Sequence, residues 1–221
     1  MIELHTHSLL SDGVLLPTEA LSRAVVDGFE AYAITDHVDT GSLGRVLAEL
    51  TRLSKDLRSE MRIQFIPGVE LTYVPPRMIA GLVADARRLG AELVVVHGET
   101  VVEPVVPGTN RAALEAGCDI LAHPGLISVE DARLAAEKGI YLELSGRRGH
   151  CLANGHVVRM ARECGARLVI NSDAHAPGDT MSLDRRRAVG LGSGLSEAEV
   201  DAALEDMRLI AARCRRNPVT L

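Results

Sequence analysis

Six of the eight histidines stand with acidic residues in short strings suited to divalent-metal chemistry: His5-Thr6-His7, Asp12, Asp36-His37, Glu70, His97, His123 and Asp173-Ala174-His175. Neutral imidazole and carboxylate are ligands for Zn, Mn or Fe, and no cysteine belongs to the set, which argues against a soft thiolate site. His5 and His7 are two residues apart, so on a strand their rings project to one side. One such histidine is most simply explained as a ring bonded to a backbone carbonyl. Repetition at successive strand ends argues for a shared site. A closed structural zinc site needs four ligands; a pool of about nine has room for two or three ions, and clusters this rich usually serve catalysis.

Something must gather these residues from 170 positions of chain. Seven short aliphatic runs begin near residues 2, 31, 62, 92, 118, 140 and 167, and the spacing predicts strands there. Between them the periodicity predicts helices over 17–27, 77–89, 109–116, 129–138, 155–164 and 197–213. Another is marked by Leu43, Val46, Leu47, Leu50, Leu53 and Leu57, which share one face. Ser196 with Glu199 reads as a capping box. Gly28, Gly90, Gly117, Gly139 and Gly165 each fall between a helix and the next strand, where a left-handed cap is wanted. Strict alternation of strand and helix implies parallel strands with right-handed crossovers, hence an α/β fold, either a closed barrel or an open doubly wound sheet. In a closed barrel the strand ends that carry the histidines open on one face. No linker or repeat divides the chain, so residues 1–221 are expected to be one domain.

Composition narrows the partners. The chain is 47% hydrophobic but only 2% aromatic and carries a net charge of -6, which disfavours nucleic acid as a partner: there is no overall basic field and little aromatic stacking surface. Cys118, Cys151, Cys164 and Cys214 form no CxxC pair and read as reduced thiols of a cytoplasmic protein. The opening residues MIELHTH have no signal-peptide character, and no apolar run is long enough to span a membrane.

The strings His5-Thr6-His7 and Ser11-Asp12-Gly13, Thr35-Asp36-His37, Pro67-Gly68-Val69-Glu70, His97-Gly98, Ala122-His123-Pro124 and Asn171-Ser172-Asp173-Ala174-His175 together resemble the PHP family, named for polymerase and histidinol phosphatase. The resemblance covers nearly the whole chain. It implies a distorted seven-stranded β/α barrel and a trinuclear centre: one ion among His5, His7, Glu70 and Asp173, a second held by Glu70, His97 and His123, and a third by Asp12, His37 and His175. Glu70 would bridge the first two, and Glu70, Asp173 and His175 would be catalytic. Asp12 occupies a position that is His in some relatives.

The expected activity is hydrolysis of a small phosphorylated metabolite, such as histidinol phosphate or a nucleotide phosphate, by a metal-bound hydroxide. Arg147 and Arg148, after the sixth predicted strand, are the expected anion-binding pair. His150 and Glu99 are candidate proton donors, Tyr73 a candidate ring-stacking residue, and the loop 98–108 a border of the pocket. Arg185, Arg186 and Arg187 read as a solvated face. The alternatives are a nuclease acting on short nucleic acid and a non-catalytic metal-binding module; oligomeric state is left open.

Overall fold

The aliphatic runs do form strands, and every pairing between them is parallel. The computed structural model describes residues 1–57 and 59–216. In chain order the strands are β1 (Ile2–Glu3), β2 (Ala31–Ile34), β3 (His37–Val38), β4 (Gln64–Leu71), β5 (Leu93–His97), β6 (Ile120–Ala122), β7 (Tyr141–Ser145) and β8 (Leu168–Asn171). The helices are α1 (Pro17–Val26), α2 (Leu43–Leu57), α3 (Pro76–Arg88), α4 (Thr109–Ala116), α5 (Val129–Lys138), α6 (Asn154–Cys164), α7 (Leu183–Gly192) and α8 (Glu197–Arg216). The sheet runs β1-β2-β4-β5-β6-β7-β8, with β3 also on β4. A parallel bridge between Thr6 and Ala174 brings its two edges together, so the sheet is the expected distorted seven-stranded β/α barrel.

The second strand is interrupted rather than continuous. β2 pairs Ile34 with Pro67, and β3 pairs His37 with Glu70, in one unbroken register. Pro67 has no N–H to donate to β2, and past Ile34 the Thr35 N–H and the Asp36 side chain bond elsewhere, although the Asp36 carbonyl still accepts from Glu70 N–H (3.0 Å). Thr35 N–H donates to the Thr6 carbonyl (2.8 Å), and the Asp36 carboxylate accepts from Ser8 N–H (2.7 Å), Ser8 Oγ (2.7 Å) and Ser11 Oγ (2.6 Å). The interruption therefore fastens the loop that carries Asp12.

Inward residues alternate along the strands. Leu4, Ala31, Ala33, Ile66, Leu93, Val95, Ile120, Ala122 and Val169 fill the barrel, and α8 lays Met207, Ile210, Ala211 and Cys214 on this set. Gln64 Nε2 donates to the Ala211 carbonyl (2.8 Å) and Cys214 Sγ to the Glu92 carbonyl (3.4 Å), which sets α8 across the ends where strands begin. The opposite mouth is thereby left for the polar residues. Outward residues such as Tyr32, Ile34, Val69, Val94 and Leu142 meet the surrounding helices in a second, larger core.

Helix ends follow the expected chemistry. Gly28, Gly90, Gly117, Gly139 and Gly165 all have φ between 66° and 97°, and Ser196 and Glu199 exchange the two capping hydrogen bonds. α7 carries Arg185, Arg186 and Arg187 in its first turns, and the solvated face expected of them needs correction at Arg186. Arg185 is exposed, but Arg186 is 2% exposed, because its guanidinium turns inward to Glu3. No helix among the described residues is long and apolar enough to cross a membrane.

Glu3 and Arg186 close the seam between the first and last strands. Glu3 Oε1 accepts from the N–H groups of Leu4 (3.2 Å), His5 (3.4 Å) and, across the seam, Ser172 (3.2 Å). Arg186 Nη2 donates to Glu3 Oε2 (2.8 Å) and Nη1 to the Ile170 carbonyl (2.9 Å). Removing one partner of a buried ion pair leaves the other uncompensated. Arg186→Met is therefore expected to destabilise the fold by about 3–5 kcal/mol, read from urea unfolding; a change below about 1 kcal/mol would mean that the pair contributes no more than a surface contact.

Candidate metal centre

Each strand end delivers its residue to the mouth through a local constraint. Thr6 Oγ1 donates to the Ala33 carbonyl (2.6 Å) and His7 N–H to the Ala174 carbonyl (2.9 Å), which sets His5 and His7 on either side of a fixed peptide. Gly13 lies so close to this strand that a Cβ there would sit 2.4 Å from the His7 carbonyl oxygen. Only glycine allows the Ser8–Gly13 turn to fold back and present Asp12. His123 and Asp173 adopt φ of 27° and 53°, a left-handed backbone that costs free energy in non-glycine residues.

The ring nitrogens gather around two buried carboxylates. His5 Nε2 lies 3.4 Å from Glu70 Oε2 and 3.8 Å from Asp173 Oδ1. His7 Nε2 lies 3.6 and 3.2 Å from the same two oxygens. His123 Nε2 approaches their other oxygens at 3.6 and 3.7 Å. At the rim Asp12 Oδ1 stands 3.5 Å from His37 Nε2 and 3.2 Å from His175 Nε2. Most of these separations exceed a good hydrogen bond. They are close to the roughly 3.4 Å expected between two ligand atoms bound tetrahedrally at about 2.0–2.1 Å to one ion.

Unsatisfied atoms support the same fit. His5 Nε2, both ring nitrogens of His7, Glu70 Oε1 and His123 Nδ1 are buried with no hydrogen-bond partner, a costly state for polar groups that a cation would relieve. Among the described residues, four groupings bring ligand atoms within 4.8 Å of one another: His7-Asp12-His37-His175, His97-His123-His150, His5-His123-Asp173 and His5-His7-Glu70. The clusters thus suit metal ions. All nine sequence-predicted ligands meet at the mouth, but the groupings differ from the expected trio: His7 also joins the rim set, and His150 joins His97 and His123.

The electrostatics follow from burial and crowding. Burial alone would favour neutral His5, yet Glu143, Glu70 and Asp173 outweigh it and hold its pKa well above 6.5. Burial and the neighbouring His37 push His7 far down, and burial with His97 does the same to His123. Burial acts to raise Glu70, but His5 and His37 hold it well below the ordinary carboxylate value. Burial lifts Asp173 to about 7, with His5 opposing and Glu70 and Glu143 adding to the rise.

A cavity of about 580 Å³ opens over these residues, lined also by Ser11, Thr72, Tyr73, Glu103, Arg147 and His150, a volume suited to a small ligand. Arg147 Nη1 donates to the Asp173 carbonyl (3.2 Å) and lies 2.5 Å from His175 Nδ1. Arg148 is exposed and does not line the cavity. Glu99 is turned away, accepting from Gly108 and Asn110 N–H at the start of α4. Tyr73 stacks on His97 with its ring centroid 5.6 Å away and donates its hydroxyl to Glu103.

Two important carboxylates were missed from sequence. Glu143 Oε1 accepts from His5 Nδ1 (2.8 Å) and Asn171 Nδ2 (2.8 Å), and Oε2 from His123 N–H (3.2 Å). Its signal was available, since an acid inside an aliphatic strand run must find buried partners. Glu103 had no such signal: its place depends on how loop 98–108 folds back over the mouth.

Fold and site together define a β/α barrel whose mouth is a histidine–carboxylate cluster suited to divalent cations. The chain belongs to the PHP domain family, whose model matches residues 3–116. It is 44% identical over 204 residues to Uncharacterized protein MJ1295 of Methanocaldococcus jannaschii, covering 91% of this chain and 94% of that one. It is also 32% identical over 107 residues to the 3',5'-nucleoside bisphosphate phosphatase of Chromobacterium violaceum, a match spanning 42% of this chain but only 38% of the relative. Among solved structures, the histidinol phosphate phosphatase of Lactococcus lactis subsp. lactis, complexed with zinc, L-histidinol and phosphate, has the same fold. The TM-score is 0.61 at 16% identity, covering 88% of this chain and 94% of that chain.

Because Glu143 is the foremost of the charges that raise His5, Glu143→Gln is expected to lower the His5 pKa in metal-free protein towards the ordinary imidazole value. Histidine side-chain NMR titration measures it, and an unmoved His5 resonance would refute the pairing.

Proposed function

We propose that residues 1–221 act as one divalent-metal-dependent phosphoesterase unit on a small phosphorylated metabolite. The observation that carries this reading is the convergence of six imidazoles and the carboxylates of Asp12, Glu70 and Asp173 in one cluster, of which His37, His97, His123, His175, Asp12 and Asp173 line a cavity with a guanidinium at its wall. When bound, two or three divalent cations (Zn, Mn or Fe) would lower the pKa of a water and neutralise charge on phosphoryl oxygens.

The chain's own residues supply the rest. His5, His7, Glu70 and Asp173 form the deep wall and would hold a cation there, with Glu70 also facing His123. His37, Asp12 and His175 form the outer wall. Arg147, braced on the Asp173 carbonyl, would fork onto an anionic oxygen pair of the substrate. Arg148 lies outside the cavity, so substrate recognition is assigned to Arg147. Scarce aromatics and a net charge of -6 favour a metabolite over a polynucleotide. The phosphatases named among the relatives are consistent with this reading.

The test is phosphate release from a panel that includes histidinol phosphate, nucleoside bisphosphates and short oligonucleotides, using protein loaded separately with Mn, Zn and Fe. Metal-dependent turnover of a metabolite is expected. Retained metal with no hydrolysis would favour a non-catalytic module, and preference for oligonucleotides a nuclease. Glu70→Gln is expected to reduce turnover by about 10³-fold or more, the loss of several kcal/mol of Lewis-acid assistance. Arg147→Ala should lower kcat/KM by about 10²-fold without reducing metal content.

Cation uptake should also release protons, because ligating imidazole is neutral while His5, His37 and His97 are held above 6.5 in the metal-free protein. Calorimetric titration with Zn(II) near pH 6.5 in buffers of different ionisation enthalpy reads this. A binding heat independent of buffer would contradict it.

A further inference from the structure

His150 and Glu103 lie outside the ligand set drawn from the family's motifs, yet both face the same space as His97 and His123. Ligand atoms of His97, His123 and His150 lie within 4.8 Å of one another, and all three residues are buried. Glu103 fits between two of the rings, with Oε2 3.0 Å from His97 Nε2 and Oε1 3.4 Å from His150 Nε2. The three rings meet that mutual limit without a carboxylate; Glu103 reaches His97 and His150, whereas Glu70 Oε1 approaches only His123 of this set, at 3.6 Å from its Nε2.

The outer atoms of these groups are already held. His97 Nδ1 lies 3.1 Å from the Gly98 carbonyl, which turns its Nε2 inward. His150 Nδ1 lies 2.8 Å from Thr100 Oγ1, with the same result. Tyr73 hydroxyl donates to Glu103 Oε2 (2.8 Å). A metal-binding histidine has its second nitrogen engaged in this way, which fixes the tautomer and aims the ligand atom. His123 adds an independent sign: its Nδ1 is buried with no hydrogen-bond partner, and its ring stacks on His150 with centroids 4.1 Å apart. His150 itself is carried in a 3-10 turn (His150–Ala153) directly after Gly149. Val102 of the 98–108 loop packs over that glycine, so the two loops seat together.

We infer that His97, His123, His150 and Glu103 form a divalent-cation site with three imidazole nitrogens and one carboxylate, in which His150 and Glu103 are ligands. Three nitrogens and one oxygen suit Zn(II) in four-coordination. Glu103 arrives on the 98–108 loop, so a cation here would also tie that loop down over the mouth. The inference rests on the metal-dependent reading above but assigns ligands that reading does not need.

The test uses the full chain and Zn(II) alone. A crystal grown with Zn(II) should show an anomalous peak within bonding distance of His97, His123, His150 and Glu103, besides one at His5, His7 and Asp173. His150→Asn should lose the first peak and keep the second, with bound zinc falling by one equivalent. Cobalt-substituted protein should show the matching change in its visible absorption. Thr100→Val, which removes only the brace on His150, should weaken zinc retention at this site by about 10- to 100-fold; this milder variant keeps the test open if His150→Asn fails to fold. A peak at His97 and His123 with His150 beyond bonding distance, or unchanged zinc content and cobalt spectrum in His150→Asn, would overturn the assignment. Zinc at the deep site alone would overturn it while leaving the proposed function standing. Zinc at neither site would defeat both.

Discussion

Below its mouth, the seam of the barrel is held shut by a buried carboxylate rather than by a ladder. Between the first and last strands the backbone offers the Thr6–Ala174 bridge and the hydrogen bond from His7 to Ala174. Glu3 takes over from there, accepting backbone N–H groups on both sides, and Arg186 from α7 compensates its charge. A buried carboxylate persists only when its charge is paired and its lone pairs are occupied. The seam meets that condition, and His5, His7 and Asp173 depend on it because they sit on the segments it joins.

Glu143 extends the same logic into the site. It binds the His5 ring, the Asn171 side chain and the His123 backbone, so one fully buried acid orients residues from three strand ends. It also presses a proton onto His5, while burial and crowding remove protons from His7 and His123. The pKa values of neighbouring imidazoles are thereby driven in opposite directions, His5 upward and His7 and His123 downward, and a bound cation would favour the neutral, ligating form of each.

Local strain collects where the chemistry is concentrated. Among the described residues, Tyr73, His123 and Asp173 are the non-glycine residues with positive φ, and all three line the cavity over the ligand cluster. Elsewhere the rules of local structure are obeyed: glycine at left-handed helix ends, alternation along strands, and a capping box before α8. This distribution is expected when rigid packing elsewhere supports a site optimised for a ligand rather than for its own stability.

The amino-acid sequence by itself determined the alternation of strand and helix, because hydrophobic periodicity and glycine at helix ends act over a few residues. It also marked all nine candidate ligands, because histidine and acid at successive strand ends have little other reason to recur. Arg186 and Arg185 are neighbours with opposite environments, and no local pattern distinguishes them; only the closing of the seam pulled one inside. Glu143 carried a legible signal as an acid within an aliphatic strand, whereas Glu103 and His150 carried none that named their partners. Their meeting with His97 and His123 joins residues from three loops, and how those residues divide into separate cation sites depends on ångström distances that spacing along a chain does not encode.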